Sequence, residues 1–117
     1  MSKKILVIDD DADILEFITI TLDWEGFEVI PRTGFPVLSE LEAIKPNLIL
    51  MDNWLNGTRG SDLCKTIKEN EGLRHIPVIL LSAVNDLEKL AHECGANAYL
   101  AKPFDLIELE TLVQQFT

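Results

Sequence analysis

Residues 4–11 read KILVIDDD: four apolar residues, Ile5 to Ile8, run directly into the carboxylates Asp9, Asp10 and Asp11. A run this short, with β-branched residues and no polar alternation, suits a strand buried on both faces. Four more runs repeat the pattern at Phe27–Ile30, Leu48–Met51, Ile76–Leu81 and Ala98–Ala101. Stretches 12–25, 35–44, 61–71, 86–94 and 105–116 have helical spacing; Leu15, Ile18 and Leu22 share one face of the first, and Leu106, Leu109 and Val113 one face of the last. Strands alternating with helices imply right-handed crossovers and a parallel sheet covered on both sides. The expected fold is therefore α/β: a three-layer, doubly wound, five-stranded parallel sheet. Runs one, three and four are apolar enough to be central. Run two carries Glu28 and is ended by Pro31, and run five is short and Ala-rich, so both suit edges. The simplest strand order is 2-1-3-4-5.

With 117 residues, 47% of them apolar, the chain fits a single domain, residues 1–117. The formal charge of −10 disfavours direct contact with nucleic acid or an anionic membrane. Its longest apolar stretch, Pro77 to Val84 and broken by Ser82, falls far short of the ~20 residues of a membrane helix. The opening MSKKILVIDD has a positive flank but meets acid after four apolar residues, unlike a signal peptide, so a cytoplasmic location is expected. Cys64 and Cys94 form no CxxC and read as reduced, partly buried helix residues, and His75 and His92 lack a second ligand at metal spacing. No GxxxxGK, GxGxxG, HExxH or GxSxG occurs, which removes the common nucleotide, zinc-protease and serine-hydrolase readings.

Ligands of an open α/β sheet bind beyond the carboxyl ends of the strands, where strand order reverses, here between the first and third strands. The first strand ends in Asp9, Asp10 and Asp11, the third in Asp52, the fourth in Ser82, and the fifth runs into Lys102 and Pro103. Crowded carboxylates raise one another's pKa, and a hard divalent cation relieves them; oxygen ligands favour Mg²⁺. A carboxylate beside Mg²⁺ and a lysine is a plausible nucleophile towards phosphorus, with the Ser82 hydroxyl and Lys102 facing phosphoryl oxygens. Asp11 and Asp13 read better as caps of the first helix, Asp13 having Glu16 at capping-box spacing.

The motifs KILVIDDD (4–11), LILMDNWLNG (48–57), PVILLSA (77–83) and GANAYLAKPF (95–104), in this order and spacing, resemble the receiver domain of bacterial two-component response regulators from about Lys3 to Phe116. The resemblance implies a flavodoxin-like receiver fold. It also implies that Asp52 is the phosphoacceptor, and that Asp9, Asp10 and Asp52 bind Mg²⁺ with the backbone carbonyl of Trp54. Ser82 corresponds to the family's hydroxyl position, Tyr99 to its switch aromatic and Lys102 to its lysine, with a cis bond to Pro103. The phosphoryl donor would be a histidine of a sensor kinase or phosphotransfer protein, docking near Ile14 and Phe17. Phosphorylation would draw in Ser82, let Tyr99 turn inward and alter the surface of the fourth helix, fifth strand and fifth helix. The domain would catalyse its own phosphorylation and slow dephosphorylation, and signal to an effector that the sequence does not identify.

Asn56 stands where the family commonly has proline, and Asn56-Gly57 is a strong turn former. Trp54 and Val84 flank the site and predict slowed self-dephosphorylation. One subfamily of regulators dimerises through mixed charges on its output face. Here Asp86, Glu88, Glu93, Asp105, Glu108 and Glu110 face only Lys89, so a monomer is expected when unphosphorylated. Helix one also carries Ile14, Phe17 and Trp24 off its core stripe. Competing readings are a Mg²⁺-dependent phosphohydrolase, which would want an acid where Trp54 stands, and an unphosphorylated pseudo-receiver, which intact Asp9, Asp10, Asp52, Ser82 and Lys102 oppose. Tyr99 as a plain edge aromatic also stays open. A chain ending at Thr117 is expected to carry no output domain; it could be a stand-alone regulator, a relay intermediate or part of a longer one.

Overall fold

The apolar runs become strands because their side chains are buried on both sides of one sheet. A computed structural model describes residues 2–55, 57–83, 85 and 87–117. The expectations placed on Asn56, Val84 and Asp86 lie outside the described residues. The chain runs β1 (Lys4–Ile8), α1 (Ala12–Trp24), β2 (Glu28–Arg32), α2 (Leu38–Ile44), β3 (Leu48–Asp52), β4 (Trp54–Leu55), β5 (Thr58–Arg59), α3 (Gly60–Glu69), β6 (Val78–Ser82), α4 (Leu87–Cys94), β7 (Ala98–Ala101) and α5 (Leu106–Gln115). The main sheet is parallel with order β2-β1-β3-β6-β7, which is the expected 2-1-3-4-5 once the small β4–β5 ribbon is counted.

Period-two alternation divides each central strand between two cores. Ile5, Val7, Leu48, Leu50, Ile79 and Leu81 face α1 and α5, where Ile18, Leu22, Leu109 and Val113 complete one core. Leu6, Ile8, Ile49, Met51, Val78 and Leu80 face the other side, against Leu41, Cys64, Ile67, Leu87, Ala91 and Cys94 of α2, α3 and α4. Every residue of β3 and β6 is buried, so Asp52 and Ser82 end their strands inside the protein rather than at its rim.

Several local expectations change. Pro31 lies within β2, paired with Val7, instead of ending the strand. An edge strand tolerates proline because the missing N–H can face away from the ladder. Leu106 is exposed at the first turn of α5, one residue after the Asp105 cap, so only Leu109 and Val113 form the buried stripe. Ile14 packs partly against the α1/α5 core rather than standing clear of it, whereas Trp24 is 90% exposed. Asp11, not Asp13, caps α1: its carboxylate accepts from the N–H groups of Asp13 and Ile14 at 3.0 and 3.3 Å.

Candidate functional site

Parallel pairing brings four strand ends to one edge of the sheet. Asp9 follows β1, Asp52 ends β3, Ser82 ends β6 and Lys102 follows β7. Backbone bonds lock this alignment: Asp9 N donates to Arg32 O at 3.1 Å, Asn53 N to Leu81 O at 3.0 Å, and Lys102 N to Ser82 O at 2.9 Å. Among the described residues, Asp9, Asp10 and Asp52 form an acidic group whose carboxylate oxygens lie within 4.8 Å of one another. Asp9 is fully buried and Asp52 is 7% exposed, while Asp10 faces solvent.

The Lys102 ammonium bridges the two buried carboxylates, with Nζ 2.8 Å from Asp9 Oδ2 and 2.9 Å from Asp52 Oδ1. The remaining oxygens accept backbone N–H groups: Asp9 Oδ1 from Asp11 at 2.9 Å and Asp52 Oδ2 from Trp54 at 3.2 Å. Burial pushes the Asp52 carboxyl above its ordinary value, and the Lys102 and Trp54 hydrogen bonds offset that only in part. For Lys102, burial acts to lower the pKa, but its bonds to Asp9 and Asp52 together outweigh burial and raise it. One lysine cannot balance three carboxylates. The surplus of negative, oxygen-only donors therefore suits a hard divalent cation of the Mg²⁺ kind.

The profile of the family described as the response regulator receiver domain matches residues 5–114. This chain belongs to that family. The receiver is 36% identical over 117 residues to the DNA-binding response regulator MtrA of Mycolicibacterium paratuberculosis, an alignment covering 97% of this chain and 51% of MtrA. Thus the chain spans about half the length of that curated relative. It superposes with a TM-score of 0.88 on the signal receiver domain of a histidine kinase from Syntrophus aciditrophicus, at 29% identity, covering 98% of this chain and 89% of that one. A CheY-like receiver domain protein from Methanospirillum hungatei gives 0.86 at 28% identity, covering 99% and 94%. The chain is a bacterial-type two-component receiver with the flavodoxin-like fold.

Around the receiver's acidic centre, Trp54 is 54% exposed and lies opposite Arg59 in the β4–β5 ribbon, so its backbone touches Asp52 while its ring stands outside. Gly57, between β4 and β5, has φ of +80°, in the region that glycine adopts without strain. Tyr99 is 40% exposed on β7 and borders grooves against both α4 and α5. Phe17 is 43% exposed and, with Ile14, Pro103 and Phe104, lines a groove of about 370 Å³ that opens beside Lys102. The Lys102–Pro103 peptide is cis.

Two positioning residues escaped the sequence reading. Asn53 is buried, and its Oδ1 accepts the Ser61 N–H at 3.0 Å, tying the start of α3 to the residue after Asp52. Gly60 N donates to Asn53 O at 2.6 Å, and a Cβ at Gly60 would collide with the Asp52 carbonyl oxygen. A glycine at the start of a helix was the only available signal, and glycine is common at helix ends for other reasons.

Proposed function

We propose that this receiver takes a phosphoryl group onto Asp52 from a phosphohistidine of a sensor kinase or histidine phosphotransfer protein. The observation that carries the reading is the Lys102 ammonium held against both Asp9 and Asp52. An Asp52 oxygen attacks phosphorus, the N–P bond breaks, and the electron pair returns to the departing imidazole, leaving an acyl phosphate. Burial, which holds the Asp52 carboxyl above its usual range, also makes its carboxylate the more basic nucleophile. Lys102 is already at hydrogen-bond distance from the reacting carboxylate and follows the charge onto the phosphoryl oxygens, and the Ser82 hydroxyl donates to another. Asp9, Asp10, Asp52 and the carbonyl of Trp54 would hold Mg²⁺, which supplies positive charge against the phosphoryl oxygens during transfer.

The donor docks over the groove beside Ile14 and Phe17, which leads to Lys102. Readout runs from Ser82 to Tyr99 and the face formed by α4, β7 and α5, towards an effector in the same chain or another. The receiver thus promotes its own phosphorylation and slow dephosphorylation, acts in the cytoplasm as one folded unit spanning residues 1–117, and is monomeric when unphosphorylated. Its excess of acid disfavours direct contact between this domain and DNA.

Incubation with acetyl phosphate or beryllofluoride, with and without Mg²⁺, tests the reading. Trp54 fluorescence should change only when Mg²⁺ is present, with Trp24→Phe removing the background from the exposed tryptophan. No response with Mg²⁺, or the same response in Asp52→Asn, overturns the assignment of Asp52.

A further inference from the structure

Away from the acidic crevice, the interface of α3 and α4 contains two thiols. Cys64, in the middle of α3, is fully buried, and Cys94, the last residue of α4, is 6% exposed. Cys64 Sγ donates to the Cys94 carbonyl at 3.6 Å, and Cys94 Sγ donates to the Ala91 carbonyl at 3.5 Å. The backbone beyond confirms how closely the helices meet. A Cβ at Gly95 would lie 3.3 Å from Cγ of Lys68, one turn after Cys64 on α3. Lys68 is itself anchored, its ammonium donating to Ile76 O at 2.7 Å and Arg74 O at 3.2 Å. The end of α4 is therefore held against a fixed part of α3.

Buried cysteines commonly serve only as small apolar residues. Two features set this pair apart. The Cys64 sulfur reaches across the helix contact to the backbone of Cys94, 3.6 Å from its carbonyl oxygen. Also, Cys94 closes a helix of eight residues, so local opening of that last turn exposes its thiol to a reagent. We propose that Cys64 and Cys94 form a reversible disulfide, closed by a low-molecular-weight disulfide oxidant, that staples the C-terminal end of α4 to α3.

The reaction balances as two exchanges. The Cys94 thiolate attacks one sulfur of oxidised glutathione, whose S–S bond breaks to release one glutathione thiol. Cys64 then attacks Cys94 Sγ in the mixed disulfide and expels the second glutathione. The protein dithiol is oxidised, glutathione is reduced, and the two thiol protons pass to the departing thiols. The order of attack follows from access, since Cys94 is 6% exposed at a helix end and Cys64 is fully buried. The neighbouring Cys64 thiol pulls the Cys94 thiol below its usual range, and the nearness of Cys94, with burial, pushes Cys64 up. In a reducing cytosol the pair stays open, as dithiols there do until an oxidant arrives. Nothing in this inference depends on phosphorylation of Asp52.

The test treats the native chain with oxidised glutathione and analyses intact mass and peptides without reduction. The expected product is lighter by two hydrogens, contains a peptide joining Cys64 to Cys94 within one chain, and retains no glutathione; dithiothreitol restores the starting mass. Cys64→Ala should retain one glutathione on Cys94, because the resolving thiol is missing. Amide exchange across Ala91–Cys94 should slow on oxidation of the wild type. Glutathione retained on the wild type, a peptide linking two chains, or native thiols left unreacted under conditions that oxidise the unfolded chain would each overturn the proposal. The wild-type measurement stands even if the variant folds poorly.

Discussion

At Asp52, burial and ion pairing act in opposite directions, and burial wins. The side chain sits at the inner end of a strand whose every residue is buried, with Lys102 and the Trp54 N–H compensating only partly. A folded-state pKa raised above the unfolded value means that the folded protein favours the protonated acid. The stability this contributes is present below the ordinary carboxylate range and is lost as pH rises through the raised folded value. In chelator-containing buffer at pH 7, Asp52→Asn should therefore stabilise the domain. The advantage should shrink as pH is lowered into the carboxylate range, because the wild-type acid then becomes neutral too. Urea unfolding of both proteins across that range checks the sign; destabilisation by Asn at pH 7 would show that the Lys102 pair outweighs burial. The identity of Asp52 as the strand-three acid is visible in the sequence. Its protonation energetics are not, because they depend on how deeply the strand end is enclosed.

At the scale of elements, the connection from β3 to α3 explains how that aspartate is held. The sequence pattern identifies both elements, and Asn56-Gly57 signals the turn between them. It does not reveal that Trp54–Leu55 and Thr58–Arg59 pair as a two-stranded ribbon, since two residues are too few to establish an alternation. Nor does it reveal that α3 begins pressed against the backbone of Asp52 and Asn53, which only a residue without a Cβ allows. Gly60→Ala should cost about 1–3 kcal/mol, the usual range for overpacking a tight site. It should also alter Trp54 emission, since the strain falls on Asp52 and Asn53, immediately before this indole. Thermal melts and emission spectra of the purified variant suffice, and a change within error in both would show that α3 can retreat without disturbing β3. Helix α1 is a contrasting case. Asp11, Ile18 and Leu22 act as their spacing suggests, because capping and a core stripe are local matters.

For the whole molecule, the charge of −10 has both a local and a diffuse part. Asp9, Asp10 and Asp52 concentrate acid at the crevice, whereas the rest is spread over helices, where pairs such as Lys89 with Glu93, 4.0 Å apart and exposed, contribute little. Self-repulsion of the diffuse part opposes the compact state and is screened by salt. Raising NaCl from about 0.02 to 0.5 M in chelator-containing buffer should increase Tm by about 2–5 °C, with a gradual dependence on concentration. A fall in Tm would mean that screened attractions, chiefly Arg32 with Glu40, outweigh the repulsion. Mg²⁺ acting at the crevice should instead saturate, and should be weakened in Asp52→Asn, so the two parts of the charge separate experimentally.

Length, the five apolar runs, the helical spacing between them and the acids at strand ends were enough to determine the α/β class, the sheet order and the residues meeting at the crevice. They suffice because burial of strands and handedness of crossovers follow from local pattern and leave few topologies. Tertiary structure alone decided the bridging of Asp9 and Asp52 by one lysine, the Asn53 and Gly60 contacts that brace Asp52, the place of Pro31 inside an edge strand, the exposure of Leu106, and the meeting of Cys64 with Cys94. Each of these joins residues distant in sequence or depends on how closely two backbones approach, and neither quantity has a period along the chain.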